Sequence, residues 1–281
     1  FGPQQILSDT AMEAEQVRAV DLDGDGDLDI LAGADDDGEI TWHENLGGGN
    51  FSPEILIDRL NNLNNIAATD IDGDSTIDVL AITNSDLYVY KNLGDTAFSS
   101  KQLITGDPLF GRNVFPIDIE GDGDIDLLTS DFSRDDIALF RNQGGGIFGT
   151  KQTIESNLNG ASSTFAAHLD GDNHLDIVAF SQTESALQSY TNLGNGFFTG
   201  EKIIGRTADG VRFVRLGDID GDSDIDMVAT TFKDNTIEWY ENVTGSFVAE
   251  HNVISNAWSV HGLRLADLDR CLLYTSDAAD E

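Results

Sequence analysis

The aspartates of one acidic nonapeptide have the residue types and the spacing to bind a metal ion. The motif recurs about every 49 residues, in five complete copies: DLDGDGDLD (21–29), DIDGDSTID (70–78), DIEGDGDID (118–126), HLDGDNHLD (168–176) and DIDGDSDID (218–226). A sixth copy begins at Asp267 and breaks off after Asp269. Carboxylates at positions 1, 3, 5 and 9 of a loop bent by glycine are the oxygen ligands that a hard cation requires. We therefore predict about four to five calcium sites.

The segments around each loop predict four short strands per repeat. One apolar run precedes the loop, and a second run, rich in β-branched residues, begins inside the loop and continues beyond it. An alternating segment that ends in Asn follows, which predicts a strand with one buried and one more polar face. A glycine-rich turn and an aromatic residue then open a last strand, and the aromatic positions are Phe51, Phe98, Phe148, Phe198 and Phe247. Four strands per repeat predict an all-β chain built from β-propeller blades.

The acidic loop, the strand that ends in Asn and the G-x-F turn together resemble FG-GAP/VCBS-type repeats, which occur in integrin-like propellers and in many secreted bacterial proteins. The resemblance covers residues 1–269. It implies a calcium-bearing propeller, commonly seven-bladed. The chain contains five complete blades, a leading fourth strand and a trailing first strand, whereas seven blades of this period need about 343 residues. We expect a propeller fragment over residues 1–270.

The same resemblance assigns metal ligands loop by loop. In the first loop the side chains of Asp21, Asp23, Asp25 and Asp29 would bind the ion, together with the backbone carbonyl of Asp27 at position 7. The corresponding residues of the other intact loops are Asp70, Asp72, Asp74, Thr76 and Asp78; Asp118, Glu120, Asp122, Asp124 and Asp126; and Asp218, Asp220, Asp222, Asp224 and Asp226. Position 6 is not always glycine, so some of these turns are expected to be strained.

The fourth loop departs from the pattern. His168 replaces the first aspartate and His174 stands at position 7, which leaves Asp170, Asp172 and Asp176 as carboxylates. Neutral imidazole is a poor ligand for calcium and a better one for zinc or copper. We expect weak or absent calcium binding in this loop rather than a retained site.

Two other calcium motifs do not fit the chain. An EF-hand needs a bidentate Glu at position 12 and a helix on each side, but position 12 of the first loop is Ala32 and its surroundings have the pattern of strands. Nonapeptide β-rolls repeat their motif every nine residues rather than every 49 or so.

The charge of the chain restricts its partners. The formal net charge is −36, and 22 of the 51 acidic residues lie in the five nonapeptides. Such a surface disfavours nucleic acid and anionic membranes, and no stretch approaches the roughly 20 apolar residues of a membrane span. Without cations the carboxylates of each loop would repel one another strongly.

Both ends of the sequence indicate a fragment. Residues 1–7 match the closing segment of a repeat, with no initiator Met or signal peptide before them. Residues 271–281 interrupt the sixth motif and read CLLYTSDAADE, which resembles a translated sequencing adapter. We expect these last residues to be foreign to the fold.

Ligand-binding candidates lie outside the shared motif. Trp42 and Trp239 occupy the same place in their repeats, where packing explains them better than sugar stacking. Trp258 and His261 fall in the connection SNAWSVHG (255–262), which is unlike the corresponding connections of other repeats, and variable loops on a regular scaffold are where binding sites usually lie. The Asn of the sequon at Asn242 is better explained by a structural turn role, because Asn recurs there in every repeat.

The sequence favours a secreted or cell-surface binding module that engages a glycan or a protein. It has no nucleophile motif, phosphate loop or histidine cluster. The alternatives are a catalytic or accessory propeller of a polysaccharide lyase or hydrolase, and a structural spacer in a large adhesin.

Overall fold

The computed structural model describes residues 6–8, 14–94, 97–105, 111–184, 186–194, 196–205, 211–231, 235–255, 263 and 265. These residues form five four-stranded sheets, and in each sheet the strands are neighbours in chain order. The first two sheets contain β1 (Ala14–Val20), β2 (Asp29–Ala34), β3 (Glu39–His43) and β4 (Ile55–Arg59), then β5 (Leu63–Thr69), β6 (Asp78–Thr83), β7 (Leu87–Tyr90) and β8 (Gln102–Thr105).

The remaining three sheets have the same plan. Each contains four strands, and their bounds are β9 (Gly111–Ile117), β10 (Asp126–Asp131), β11 (Asp136–Phe140) and β12 (Gln152–Glu155); β13 (Ala161–Ala167), β14 (Asp176–Ser181), β15 (Ala186–Asn192) and β16 (Phe198–Gly205); β17 (Val211–Gly217), β18 (Asp226–Thr231), β19 (Thr236–Val243) and β20 (Ser246–Ser255). The prediction of an all-β chain with one four-stranded blade per repeat is confirmed. No helix that could cross a membrane occurs in the part of the chain that the structure describes.

The described residues divide into two compact units. The first comprises those in Phe1–Pro116, Gly123–Asp131 and Leu139–Gln152, and the second those in Ile117–Asp122, Phe132–Ala138 and Thr153–Glu281. In the first unit one apolar core joins the first two repeats, for example Trp42 with Ile66, and another joins the second repeat to part of the third, for example Leu80 with Phe140.

The core of the second unit joins the fourth and fifth repeats. Phe180 and Val178 belong to the same buried cluster as Met227 and Tyr240. In both units, therefore, consecutive sheets cover each other, as expected for blades that cannot bury their faces alone.

In four of the five sheets the second strand is buried along its whole length; the exception is β2, in which two residues are half-buried. All six residues of β6 are buried, and the same holds for β10, β14 and β18. Both faces of these strands are therefore covered, and the polar residues among them, such as Ser130 and Thr230, are buried as well.

The predicted alternation of the third strand is wrong for β3. All five residues of β3 are buried, including Glu39, Thr41 and His43. The polar side chains are accommodated by hydrogen bonds: Arg59 donates to Glu39, and His43 Nδ1 lies 3.1 Å from the carbonyl oxygen of Ser52. β19 does alternate between buried and half-buried residues up to its exposed last residue.

The fourth strand begins later than predicted in the first three repeats. Phe51, for example, forms an isolated bridge with Asn45, and β4 begins only at Ile55. Between them the Ser52 hydroxyl accepts a hydrogen bond from Glu44 N at 2.9 Å and donates to the Pro53 carbonyl at 3.0 Å. A serine side chain that takes a backbone partner interrupts the ladder. In the last two repeats, by contrast, the aromatic residue lies inside the strand.

Candidate metal centre

Each acidic loop connects the first two strands of its sheet, and its first aspartate fixes the backbone of the turn. Asp21 Oδ1 accepts a hydrogen bond from Gly24 N at 2.8 Å, and Asp21 Oδ2 accepts one from Gly26 N at 3.0 Å. Asp70 and Asp218 bond to the equivalent amides of their own loops. The carboxylate at position 1 thus closes a tight turn on itself.

Position 6 has a positive φ in all five loops. Glycine occupies it in the first and third loops, but Ser75, Asn173 and Ser223 have φ values of 71°, 67° and 78°. A residue with a Cβ is disfavoured in this region. The expected strain at the non-glycine turns therefore has a structural basis.

The aspartate at position 9 is buried and acts as a structural acceptor. Asp29 Oδ2 accepts a hydrogen bond from Leu22 N and Asp29 Oδ1 accepts one from Asn45 N, both at 2.8 Å. Asp78 and Asp226 make the same pair of bonds, with position 2 and with the Asn that follows the third strand. One carboxylate therefore connects the loop to the residue that follows the third strand, at the same end of the sheet.

Three carboxylates of a loop converge. Oxygen atoms from positions 1, 3 and 9 lie within 4.8 Å of one another in three loops of the described chain: Asp21, Asp23 and Asp29; Asp70, Asp72 and Asp78; and Asp218, Asp220 and Asp226. Two oxygens bound to one calcium are at most about 5 Å apart, since each Ca–O distance is about 2.3–2.6 Å. The donor chemistry and the spacing of these groups fit a calcium ion.

The second loop has a further feature that fits a cation. Asp72 Oδ1 is buried and has no hydrogen-bond partner. An unpaired buried acceptor is costly, and a bound cation would satisfy it.

Burial and neighbouring charge raise the pKa of several of these carboxyl groups. Burial raises the pKa of Asp78 to about 6, with Asp72 and Asp74 adding to the effect. The pKa values of Asp176 and Asp226 are raised for the same main reason. Ionising these buried carboxyl groups is therefore less favourable than in water, and a nearby cation would offset this cost.

Position 5 does not belong to these three-residue groups. Asp25 is exposed, and its Oδ1 accepts a hydrogen bond from Asp27 N at 2.8 Å. Asp74 accepts hydrogen bonds from both Thr76 N and Thr76 Oγ1. These bonds lower the pKa of Asp74, and the bond from the hydroxyl group has the larger effect. The roles of Asp25, Asp74, Asp122 and Asp222 as ligands stay a prediction.

The fourth loop keeps the backbone turn with a different closure. His168 Nδ1 lies 3.1 Å from the carbonyl oxygen of His174, the position-7 carbonyl that the resemblance assigns to the metal. The His174 ring turns back toward Asp172, with Nδ1 3.2 Å from a carboxylate oxygen. Asp176 keeps its structural bonds to Leu169 N and Asn192 N. Both imidazole rings therefore contact other groups of the same loop.

The first aspartate of the third loop also bonds to the backbone of its turn. Asp118 Oδ1 accepts hydrogen bonds from Gly121 N at 2.7 Å and Asp122 N at 3.1 Å. Asp126 Oδ1 accepts one from Asn142 N at 2.8 Å. Glu120 and Asp124 stay predicted ligands.

The recurrent Asn makes two kinds of side-chain hydrogen bond, and the sequence predicted only the first of them. Its side chain accepts a bond from the glycine turn that follows, as expected for a turn residue; Gly94 N donates to Asn92 Oδ1 at 3.0 Å. Its amide also donates to position 2 of an earlier acidic loop, and the pairs are Asn92 with Leu22, Asn142 with Ile71, Asn192 with Ile119, and Asn242 with Leu169. The invariance of this Asn among the repeats was the available signal.

The structure describes two of the three tryptophans, Trp42 and Trp239. Trp42 is 1% exposed and belongs to the core between the first two sheets, and Trp239 is half-buried on β19. The burial of Trp42 agrees with the prediction from the sequence that it packs in the core rather than stacking on a sugar. Trp258 and His261 lie outside the described residues, as does the segment 271–281, so the expectations for them stay predictions.

Acidic loops repeated between the first two strands of successive four-stranded sheets define a repeat protein of the β-propeller class. The chain belongs to the FG-GAP-like repeat family, whose model matches residues 21–81, 70–129, 118–179 and 168–229. Each match begins at position 1 of an acidic loop, which makes the loop the start of the family's repeat unit. No curated protein matches the chain.

Two solved structures share the fold. One is an Agrocybe aegerita lectin that recognises non-reducing terminal N-acetylglucosamine; it has 19% identity and a TM-score of 0.66 over 88% of this chain and 67% of the lectin. The other is the V. cholerae biofilm matrix protein Bap1, with 19% identity and a TM-score of 0.50 over 86% of this chain and 39% of that protein. At this identity the likeness concerns the fold alone.

Proposed function

We propose that this chain is a calcium-stabilised binding module that acts at the cell surface or after secretion, with a glycan or a protein as its ligand. The observation that carries the proposal is the recurrence of one carboxylate cluster, at positions 1, 3 and 9, in equivalent places of three repeats. Sites of this kind in extracellular modules have dissociation constants of about 10⁻⁴ to 10⁻³ M, which suits the calcium concentration outside cells.

The proposed calcium sites are the first, second, third and fifth loops. Bound calcium would neutralise the converging carboxylates and join parts of one loop that otherwise repel each other. The chain's own contribution is to fix the loops beforehand: position 1 closes the turn, and position 9 connects it to the Asn after the third strand. Calcium would then stabilise each blade at the end where these loops lie.

The proposed ligand surface is formed by connections that differ between repeats. In the first unit, the turn between β2 and β3 and the connection from β4 to β5 line an open cavity of about 440 Å³. Its lining includes the exposed side chains of Asp35, Asp36, Asn61 and Asn62. Carboxylates and amides are suitable partners for sugar hydroxyl groups. These connections lie at the opposite strand ends from the acidic loop, because successive strands are antiparallel.

The fold relatives support placing a glycan first among the ligands. The Agrocybe aegerita protein is a lectin, and Bap1 is a protein of the biofilm matrix. The connection that contains Trp258 and His261 is the second candidate surface.

Calorimetric titration of chelator-treated protein tests the calcium part of the proposal. We expect uptake of calcium and a higher melting temperature in its presence. Asp25→Ala in the first loop should reduce the stoichiometry more than Asp170→Ala in the fourth loop, where histidine replaces the first ligand. A protein that takes up no calcium would overturn the proposal.

A glycan array, followed by titration of the best binder, tests the ligand part. Asp36→Asn with Asn61→Ala, or Trp258→Ala with His261→Ala, should weaken binding, while calcium uptake and melting temperature stay unchanged. Glu54→Gln, an exposed acid outside the cavity, is the matched control. Turnover of a polysaccharide by the wild-type chain would instead favour an enzyme, and binding that no connection variant alters would contradict the proposed surface.

A further inference from the structure

The residue just before the recurrent Asn differs in charge from one repeat to the next. It is Glu44 in the first repeat and Glu241 in the fifth, Lys91 in the second, and Arg141 and Thr191 in the third and fourth. Since the following Asn is bonded to position 9 of the loop, this residue stands beside the carboxylate cluster. The charge of this residue therefore differs between repeats at a place beside the recurring carboxylates.

Lys91 forms an ion pair with a carboxylate of the cluster in its own repeat. Its Nζ lies 2.6 Å from Asp72 Oδ2, and it lies 3.4 Å from the carbonyl oxygen of Gly145. The side chains of Lys91 and Asp72 are only 25% and 13% exposed. The glycine turn 144–146 covers the pair, because a Cβ on Gly146 would contact Asp72 at 3.4 Å. Such a pair is shielded from solvent far more than an ordinary surface salt bridge.

The ion pair is accompanied by a change in the bonding of the loop. In the first and fifth loops the carboxylate at position 3 accepts the amide of position 5, from Asp25 N to Asp23 and from Asp222 N to Asp220. In the second loop Asp74 N donates to Asp70 instead, as the equivalent Asp122 N does to Asp118 in the third loop. Asp72 is bonded to Lys91, and its other oxygen stays buried without a hydrogen-bond partner.

The first and fifth loops have the opposite electrostatic environment. In the first loop Glu44 lies close enough to Asp23 for the two carboxylates to repel each other. In the fifth loop Glu241 is likewise close enough to Asp220 to repel it. These two clusters carry an additional negative charge where the second carries an ammonium group.

We propose that Lys91 is a built-in counter-ion of the second loop, which lowers the calcium affinity of this loop relative to the first and fifth loops. The inference depends on the proposed calcium binding. An ammonium group beside Asp72 repels a divalent cation and already neutralises one of its ligands, whereas Glu44 and Glu241 increase the attraction. Ligand charge is one of the properties that set calcium affinity in protein sites. Under this proposal, the charge of the residue before the Asn sets the order of calcium affinity among loops that share the motif.

Calorimetric calcium titration of Lys91→Met tests the assignment. We expect one additional or tighter class of site, with an affinity increased by about tenfold, because the loop loses a competing cation. Lys91→Arg should behave as wild type. Lys101→Met is the matched control, since Lys101 pairs with Asp58 at 3.1 Å, away from the loop. Adding Asp74→Asn and Asp70→Asn to Lys91→Met should abolish the gain and assign it to the second loop.

Thermal unfolding supplies a readout that does not depend on calcium affinity. In chelator, Lys91→Met should melt at a lower temperature than wild type, and calcium should restore more of the loss than it adds to wild type. If Lys91→Met does not fold, Lys91→Gln, which keeps a hydrogen-bond donor without the charge, serves in its place. Unchanged affinity in a folded variant overturns the role of Lys91, while a wild-type chain without any calcium uptake overturns the proposed function itself.

Discussion

Asn92 donates a hydrogen bond through Nδ2 to the backbone carbonyl of Leu22, which lies 70 residues earlier in the chain, over 2.6 Å. The same nitrogen donates to Ile77 O at 3.0 Å, and the backbone amide of Asn92 is held by the position-9 carboxylate of Asp78 at 2.7 Å. A single buried amide thus connects the acidic loop of its own repeat to the loop of the preceding one. The acidic loops and the packing of consecutive sheets are parts of one hydrogen-bonded arrangement.

The first prediction isolates this bond between repeats. Asn92→Ala should lower the free energy of unfolding by about 2–4 kcal/mol, because it leaves buried carbonyl groups without donors. Asn45→Ala is the matched control, since Asn45 has the same turn and donates to Leu28 O within its own repeat. It should cost about 1–2 kcal/mol. Urea denaturation measures both, and equal losses would contradict a role for the contact with Leu22.

The sequence was sufficient to predict the blades because their repeated signals are local. Apolar runs, a glycine-rich turn and an aromatic residue recur in register in every repeat, and each is determined by neighbouring residues. The delayed start of β4 was missed because it depends on the hydroxyl of Ser52, which replaces a backbone bond of the ladder. Burial of Thr41 and His43 was missed because a single strand does not reveal what covers its second face.

The candidate site could be predicted as a set of positions, but the roles within that set could not. The spacing of the motif predicted the same role, that of a metal ligand, for the carboxylates at positions 1, 3, 5 and 9. In the structure positions 1, 3 and 9 converge, with Asp29 fully buried, whereas Asp25 is exposed and supports the turn. The pairing of Asp72 with Lys91 joins residues 19 apart, through strands whose register no local pattern gives.

The second prediction concerns a close approach of two connections in the first unit. Gly38 has φ = 67°, and a Cβ built on it would lie 1.7 Å from the carbonyl oxygen of Leu60. Leu60 N donates to Gly38 O at 2.8 Å, so the two segments have little freedom to separate. Gly38→Ala should lower the free energy of unfolding by more than about 3 kcal/mol, through steric overlap added to backbone strain.

A second glycine distinguishes overlap from strain in that experiment. Gly49 has φ = 80° and no atom within 4 Å of a built Cβ. Gly49→Ala should therefore cost only the strain, about 1 kcal/mol. Thermal unfolding of the two variants in the same buffer measures the difference, and similar melting temperatures would contradict the close approach at Leu60.

The third prediction is a dependence of stability on pH that does not involve the acidic loops. Burial alone would raise the pKa of Asp58, but hydrogen bonds from Arg59 N, Lys101 and the Tyr90 hydroxyl together lower it below its ordinary value of 3.8. Tyr90 Oη lies 2.9 Å from Asp58 Oδ2. Because the folded pKa is below the unfolded one, the carboxylate contributes stability that is fully present above the unfolded value. This stability is lost as the pH falls through the folded value.

Asp58→Asn tests this sign. At pH 7 the variant should be less stable than wild type by about 1 kcal/mol, and the difference should shrink as the pH falls below about 4, where the wild-type carboxylate becomes protonated. Urea denaturation at pH 7, 5 and 3.5 gives the three differences, and each is a comparison at one pH, so the titration of other acids largely cancels. A difference that grows toward low pH would contradict the prediction.

The last prediction separates the scaffold carboxylate of a loop from its exposed one. Asp29 is fully buried, and its two oxygens accept Leu22 N and Asn45 N, so Asp29→Ala leaves two amide groups without acceptors. We expect a loss of about 3 kcal/mol or more in chelator, which calcium does not restore because the loop has lost its connection to Asn45. Asp25 accepts only a bond within the turn, from Asp27 N. Asp25→Ala should cost less than about 1 kcal/mol in chelator and should reduce the increase in melting temperature that calcium produces. Melting curves of both variants with chelator and with calcium distinguish the two roles, and an Asp29→Ala protein that calcium restores to wild-type stability would contradict the scaffold role of position 9.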